Sequence, residues 1–457
     1  MKSIILTLVF FSLGMFACQA QEPDSILAGK MKEDALREGT AYQHLVTLCR
    51  EAPGRMIGWK AIGKAIQLTY QMLEELNPDT VYFQPVMGPH WEPGESPRAS
   101  ISSQTLGVKN IHVIPLGTSV GTGPAGLTGQ VVEVKSWAAL DSLGTPGVKG
   151  KIVFLNRPME VTHPGSFAGY GKAVDQRVQG ASLCAKLGAV GVLVRSVTTV
   201  IDSFPHTGVM HYQEGIPKIP AVAISTSDAE LLSGWLKTDP STTCYFRTFC
   251  ETLPPAPCFN VVAELKGTEF PNEIITVGGH LDCWFIAQGA QDDGAGVVQS
   301  IEVLRLLKEM RFKPRHTLRI VLFMDEEMTQ TGAKKYAEIL HAKGEKPVLA
   351  MESDMGGFAP VGFGISAPDD KFMEFQPMES CFRIFGIPKF TKGAGGSDVA
   401  PLRPLGAMMA NFIPESSSYF NFHHSAKDRI EIVNPTDLEM GSAAMATFIY
   451  LADRKDL

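Results

Sequence analysis

The sequence predicts an α/β fold, a mixed sheet with helices on both faces, interrupted by a β-rich insert. Two observations carry this. From residue 256 onward, strand-like and helix-like stretches alternate. Between 117 and 255, helical spacing gives way to short apolar runs split by Gly and Pro. The expected division is an export signal at 1–20, a first part of the main domain at 21–116, the insert at 117–255, and the rest of the main domain at 256–457.

The first residues carry the marks of export. Lys2 gives a positive start, and Ile4 to Phe16 form an apolar core too short to span a bilayer. Two readings of the next residues stay open. Cleavage after Ala20 releases a soluble protein, whereas Met15-Phe16-Ala17-Cys18 resembles a lipoprotein box that would anchor the chain at Cys18. No later stretch reaches the ~18 apolar residues of a membrane helix.

Ser25 to Leu76 reads as helical, with Ala41, Leu45, Leu48, Ile62, Ile66, Met72, Leu73 and Leu76 at helical spacing and Asn77-Pro78 as the stop. Val81 to Phe83 is a strand, Pro85 to Pro97 a Pro/Gly-rich loop, and Ile111 to Ile114 a further strand. The insert offers strands at Val131 to Val134, Lys151 to Leu155, Gly191 to Val194 and Ile219 to Ile224, with a helix at Val178 to Leu187. Pro254-Pro255-Ala256-Pro257 reads as its exit linker. Then come a strand at Ile274 to Val277, a helix face from Val297 to Leu307, and a strand at Leu318 to Met324. A helix at Ala333 to Leu340 and a strand at Val348 to Met351 follow. Phe372 to Phe385 is a helix, Ala407 to Phe412 a strand, and Met440 to Ala452 the last helix.

Bulk properties exclude several functions. Of the 457 residues, 44% are apolar, enough for a large core. The net charge is −7 with no Lys/Arg cluster, which argues against a nucleic-acid partner. The cysteines after Cys18 form no CxxC pair, so a zinc–thiolate site is disfavoured. A bridge among Cys244, Cys250 and Cys258 is compatible with export. Gly121 to Gly126 fits GxGxxG, but a strand follows where a dinucleotide site needs a helix. Gly117 to Gly121 fits GxSxG without a strand–elbow–helix context. No HExxH occurs.

The informative pattern is where acids and imidazoles fall relative to strands. His280 follows the strand at 274–277, with Asp282 two residues on. Asp325-Glu326-Glu327 follows the strand at 318–324, and Glu352 and Asp354 follow that at 348–351. In open α/β sheets, ligands collect at the carboxyl ends of strands. Asp292-Asp293 precedes a helix, and His423-His424 after the strand at 407–412 offers further nitrogen. Taken singly, each has an ordinary explanation: a glycine turn, a helix N-cap, a solvated helix start. All of them must hold together for the cluster to be accidental. Mixed His, Asp and Glu without Cys suits zinc or another borderline divalent ion.

Gly279-His280-Leu281-Asp282, Asp292-Asp293-Gly294, Glu326-Glu327, Met351-Glu352-Ser353-Asp354 and Phe422-His423-His424-Ser425 with Asp428 together resemble the co-catalytic zinc exopeptidases of the aminopeptidase/carboxypeptidase group. The order of strands and helix from Gly150 to Val222 resembles the protease-associated domain, a module commonly inserted into exported peptidases. The resemblance implies two zinc ions. His280 and Asp354 would hold one, Glu327 and His424 the other, and Asp292 would bridge them. His424 is preferred to His423 because the family pattern is His-Ser/Thr-x-x-Asp. Glu326 would be the general base, and Asp282 would hydrogen-bond His280 from outside the ligand set. It further implies a small peptide substrate, cleaved as a dipeptide or at a chain end, and a homodimer. The alternatives are an aminopeptidase on longer peptides or a non-catalytic binding protein on the same fold. Cys283 stands where the family has a small Ser-like residue and is expected to be a packed thiol.

Overall fold

A computed structural model describes residues 22–161, 167–393, 395–455 and 457. The expected export signal and Cys18 lie outside the described residues. The helical start resolves into α1 (Glu22–Glu38), α2 (Ala41–Glu51) and α3 (Lys60–Glu75). Their apolar stripes, including Leu45, Leu48, Ile62, Ile66 and Leu73, are buried against the main sheet and its helices.

Among the described residues, sixteen strands follow in chain order. They are β1 (Thr80–Glu92), β2 (Arg98–Ser103), β3 (Gly107–Asn110), β4 (Val113–Pro115) and β5 (Leu127–Val134). Next are β6 (Ile152–Leu155), β7 (Gly191–Arg195), β8 (Ala221–Ile224), β9 (Thr243–Arg247) and β10 (Glu251–Leu265). The last are β11 (Phe270–His280), β12 (His316–Phe323), β13 (Lys346–Glu352), β14 (Pro360–Ser366), β15 (Phe390–Lys392) and β16 (Met408–Pro414). They form two eight-stranded mixed sheets, ordered β1-β10-β12-β11-β13-β16-β14-β15 and β3-β2-β9-β5-β6-β7-β8-β4.

The centre of the first sheet, β12-β11-β13-β16, is parallel. Its strands are buried along most of their length, as strands covered on both faces must be. One covering helix, Ala295–Glu309, is itself buried almost all round, because α1, α2 and the last helix, Pro435–Asp453, pack outside it. Asn434 caps that last helix by accepting from the Thr436 and Asp437 N–H groups at 2.9 and 3.2 Å.

Four expectations need correction. The stretch from Pro85 is strand β1, not loop, and Pro254 to Pro257 lies inside β10 rather than in a linker. β1 is an edge strand, and β10 meets β12 only over Val261–Leu265, so the prolines remove no hydrogen bond from a second neighbour. The second sheet also begins at Arg98, well before residue 117. Finally, 369–385 is a series of short α and 3-10 turns rather than one helix, broken at Pro377 and closed at Gly386 with φ 86°.

Candidate metal centre and active site

Parallel strand ends build the centre. His280 is the last residue of β11, Glu326 and Glu327 follow β12, and Asp354 stands two residues beyond β13. His424 lies on the segment after β16. Asp292 comes from the turn before Ala295–Glu309, where the Asp292–Asp293 peptide is cis.

That turn is held from two distant parts of the chain. The Asp428 carboxylate accepts the N–H groups of Ala290, Gln291 and Asp292 at 3.1, 2.7 and 3.2 Å. The buried Arg55 guanidinium donates to the carbonyls of Leu281, Gln288 and Gly289 at 2.5, 2.6 and 2.8 Å. Asp293 accepts from the His280 and Gly296 N–H groups, tying the turn to β11. Sequence reading missed Arg55, whose partners are more than 220 residues away.

His280 Nε2 stands 3.2 Å from Asp292 Oδ1 and 3.4 Å from Asp354 Oδ1. On the other side, His424 Nε2 stands 3.0 Å from Glu327 Oε2 and 3.3 Å from Asp292 Oδ2. Ligands ~2.0 Å from a tetrahedral zinc lie roughly 3.3 Å apart, a spacing that each of these imidazole–carboxylate pairs matches, and the ligand atoms of His280, Asp292 and Asp354 all lie within 4.8 Å of one another. The two oxygens of Asp292 face the two sets separately. Asp292 Oδ2, Glu327 Oε1 and Asp354 Oδ1 are buried without a hydrogen-bond partner, a costly arrangement that a cation relieves. His423 stacks on His424 with ring centroids 3.5 Å apart, but its Nε2 is 3.7 Å from Asp292 and has no second carboxylate.

The Asp282 expectation changes in detail. His280 Nδ1 pairs with the Asp282 main-chain carbonyl at 3.1 Å, while the carboxylate is 3.8 Å away. That carboxylate instead accepts the Glu326 and Glu327 N–H groups, both at 3.2 Å. Asp282 therefore positions both glutamates directly.

Burial sets the protonation of the acids. It pushes Glu326 up to about 7, with His280 opposing and Asp354 reinforcing the shift. Glu327 is raised well above the usual carboxylate range by burial and by Asp292. Burial works against a charged His280, but Asp354 and Asp292 outweigh it and hold its value well above the ordinary one. Bound cations reverse this logic by favouring carboxylates and neutral imidazoles.

Both sheets' segments line one cavity of about 580 Å³, which contains Asp292, Glu326, Glu327, Asp354 and His424. Phe167, Tyr170 and Arg177 enter it from the second sheet's helices, and Ser397, Tyr419 and Phe420 from loops of the first. Nothing in the sequence marked these residues. Asp398, fully buried beside the cavity with neither oxygen partnered, was also missed. Its N–H donates to Glu352 at 2.8 Å.

Residues 260–449 match the model of peptidase family M28. Carboxypeptidase Q of Bos taurus is 32% identical over 421 residues, which cover 92% of this chain and 87% of that one. The chain belongs to peptidase family M28. The Rattus norvegicus carboxypeptidase Q is 35% identical over 424 residues, with the same coverage. The M28 peptidase precursor structure from Shewanella amazonensis superposes with TM-score 0.90 at 30% identity, covering 95% of this chain and 98% of that one. The Bacillus subtilis zinc aminopeptidase structure shares the fold, with TM-score 0.67 at 21% identity and coverage of 90% and 94%.

As an M28 member the chain is a metallopeptidase acting on peptides, with zinc as the family's metal. Among the described residues no helix is long and apolar enough to cross a membrane. The seven cysteines from Cys49 to Cys381 are free and buried. That includes Cys283, whose thiol burial pushes up, as a packed thiol requires.

Proposed function

We propose that the chain is an exported two-zinc exopeptidase that hydrolyses dipeptides or short peptides at a chain end. The observation that carries this is the division of Asp292: one oxygen faces His280 and Asp354, the other Glu327 and His424. His280 and Asp354 would hold one ion and Glu327 and His424 the second, with Asp292 available to both. The second sheet is a protease-associated domain, and the active form is a homodimer. Export rests on the Lys2 to Ala20 pattern, with Cys18 as the alternative anchor.

Bound zinc supplies a Lewis acid that makes water acidic near neutral pH and favours the developing oxyanion. Glu326 takes the proton from the attacking water on its carboxylate and returns it to the leaving amine. Burial raises its affinity for that proton, as the role requires. Glu327 spends its charge as a ligand, so adjacent glutamates do different work, and Asp282 fixes both main-chain N–H groups.

The test is hydrolysis of a panel of free dipeptides and of N- and C-blocked peptides, before and after chelation, followed by zinc restoration. Free dipeptides should be cleaved, chelation should abolish turnover, and restored activity should saturate at two zinc ions per chain. Saturation at one ion overturns the bridging assignment. Preference for long C-blocked peptides favours an aminopeptidase instead.

A further inference from the structure

His424 stands at φ 59°, in the left-handed region that side chains seldom adopt. Such a backbone persists only where its surroundings hold it. What holds it belongs to the second sheet. The Thr207 N–H donates to the His424 carbonyl at 2.9 Å, and His206 Nδ1 lies 2.7 Å from the His423 carbonyl. Two consecutive carbonyls of the loop are thus taken by two consecutive residues of the other sheet. A return contact starts from the imidazole itself, whose Nδ1 lies 3.3 Å from the Thr207 carbonyl.

The segment that makes these contacts is fastened to its own sheet. The His206 N–H donates to Ser196 Oγ at 2.8 Å, which donates in turn to the Ile224 carbonyl at the end of β8, also at 2.8 Å. Thr207 Oγ1 donates to the Pro115 carbonyl at the end of β4 at 2.7 Å, and the Gly117 N–H to the Gly208 carbonyl at 2.9 Å. A carbonyl 2.7 Å from His206 Nδ1 requires the proton on that nitrogen. Burial pushes the His206 imidazole down to about 4, so its Nε2 carries no proton, and this nitrogen is buried without a partner. An apolar ring would fill the same space without that penalty. The bond from Nδ1–H is what offsets it.

We infer that His206 is a positioning residue for the ion held by His424, and that the second sheet supplies the outer partners of that ligand. This rests on the two-zinc reading and deepens it. His424 Nε2 faces Glu327 and Asp292, so the proton of a ligating ring sits on Nδ1, and the Thr207 carbonyl is its acceptor. A carbonyl in that place fixes both the tautomer and the orientation of the ring. Arg177 Nη1, 3.4 Å from the same Nδ1, donates to this carbonyl as well, at 3.3 Å, and the two lone pairs of the oxygen serve both donors. His206 keeps Thr207 opposite the ring. The other ion differs. His280 Nδ1 has its acceptor in the Asp282 carbonyl at 3.1 Å, two residues along the same chain segment. One ion is therefore held within the first sheet, and the other only while the two sheets stay docked.

The experiment titrates the metal-free full chain with zinc in competition with a chromogenic chelator. His206→Phe fills the space without an N–H, and His206→Asn places its amide N–H where Nδ1 stood. Wild type should bind two ions. His206→Phe should weaken one of them by ~10–100-fold, the one that His424→Ala abolishes, and the other by under ~3-fold. His206→Asn should recover most of the loss. Lys427→Met cuts a second tie between the same segments, the 2.8 Å pair with Asp202, at a partly exposed place where folding is not at stake. It should weaken the same ion by a smaller factor. Melting of the metal-free variants reports folding apart from metal. Equal weakening of both ions, a loss that His206→Asn does not recover, or unchanged affinities in His206→Phe and Lys427→Met overturn the assignment and leave His206 a packing residue. A wild type that binds one ion overturns the two-zinc reading alone if that ion weakens in His206→Phe and recovers in His206→Asn, and overturns both if it does not.

Discussion

The two sheets make the same topological offer and use it differently. Each has parallel strands at its centre, so each gathers polar residues at strand ends. In the second sheet those residues answer one another. Arg195 pairs with Glu230 at 2.7 Å and Asn156 at 3.1 Å, Asn156 with Glu133 at 2.6 Å, and Asp228 with His112 at 2.7 Å. In the first sheet Asp292, Glu327, Glu352 and Asp354 each keep a buried oxygen without a partner. Topology creates the place for a site; buried carboxylate oxygens left without a partner at the strand ends are what distinguish the sheet that has one.

If that contrast is right, the largest effect belongs to the buried acid of the cavity that is assigned no metal. Glu326→Gln should cut kcat by about 10²–10⁴-fold while zinc content stays at the wild-type level. Turnover unchanged in a zinc-replete variant would remove Glu326 as the base.

A smaller effect is expected where an unpartnered acid lies away from the strand ends. Glu439, on the last helix, has an unpartnered Oε2, while its Oε1 accepts the Tyr42 N–H at 3.1 Å. Burial, then Glu302, push its carboxyl from 4.5 up to about 7. The folded chain therefore keeps a proton that the unfolded chain releases, and stability falls as pH rises between these values. Glu439→Gln keeps the acceptor and should stabilise the protein by on the order of 1–3 kcal/mol at pH 8. The gain should vanish below pH 4.5, with turnover unaffected at any pH where both proteins are folded. Denaturant titrations at pH 4 and 8 read it directly.

The smallest effect probes the second sheet. Glu230→Ala removes a partner of Arg195 at a half-exposed position. It should leave kcat/KM within about 2-fold of wild type, although stability falls because the buried Arg195 loses its acid. A tenfold fall in activity would mean that this sheet's strand ends also serve the reaction.

The site was more legible in the sequence than its walls. His280, Asp292, Glu326, Glu327, Asp354 and His424 fall together because strand ends converge in a parallel sheet, a rule that needs only approximate strand positions. β14 was missed because Gly362 and Gly364 dilute its strand signal, although pairing to β16 more than compensates. The proline-rich halves of β1 and β10 were read as loop and linker, since a sequence does not say which strand lacks a second neighbour. Arg177 lies one residue before the expected helix at Val178 to Leu187, on a helix that begins at Asp175, and nothing marked it. Its partners are Thr207, Tyr170 and His424, and the last of these is 247 residues away.

The clamp on the turn before Asp292 bears on when the enzyme becomes an enzyme. Three carbonyls of the segment 281–289 wait for Arg55, and three N–H groups at 290–292 wait for Asp428. Arg55 lies 226 residues before Leu281, and Asp428 lies 136 residues after Asp292. A ribosome-bound chain that has already displayed His280, Glu326 and Asp354 still lacks the group that shapes the loop carrying Asp292. The loop carrying Asp292 therefore takes its shape only when residues from three distant parts of the chain, near 55, 290 and 428, are brought together.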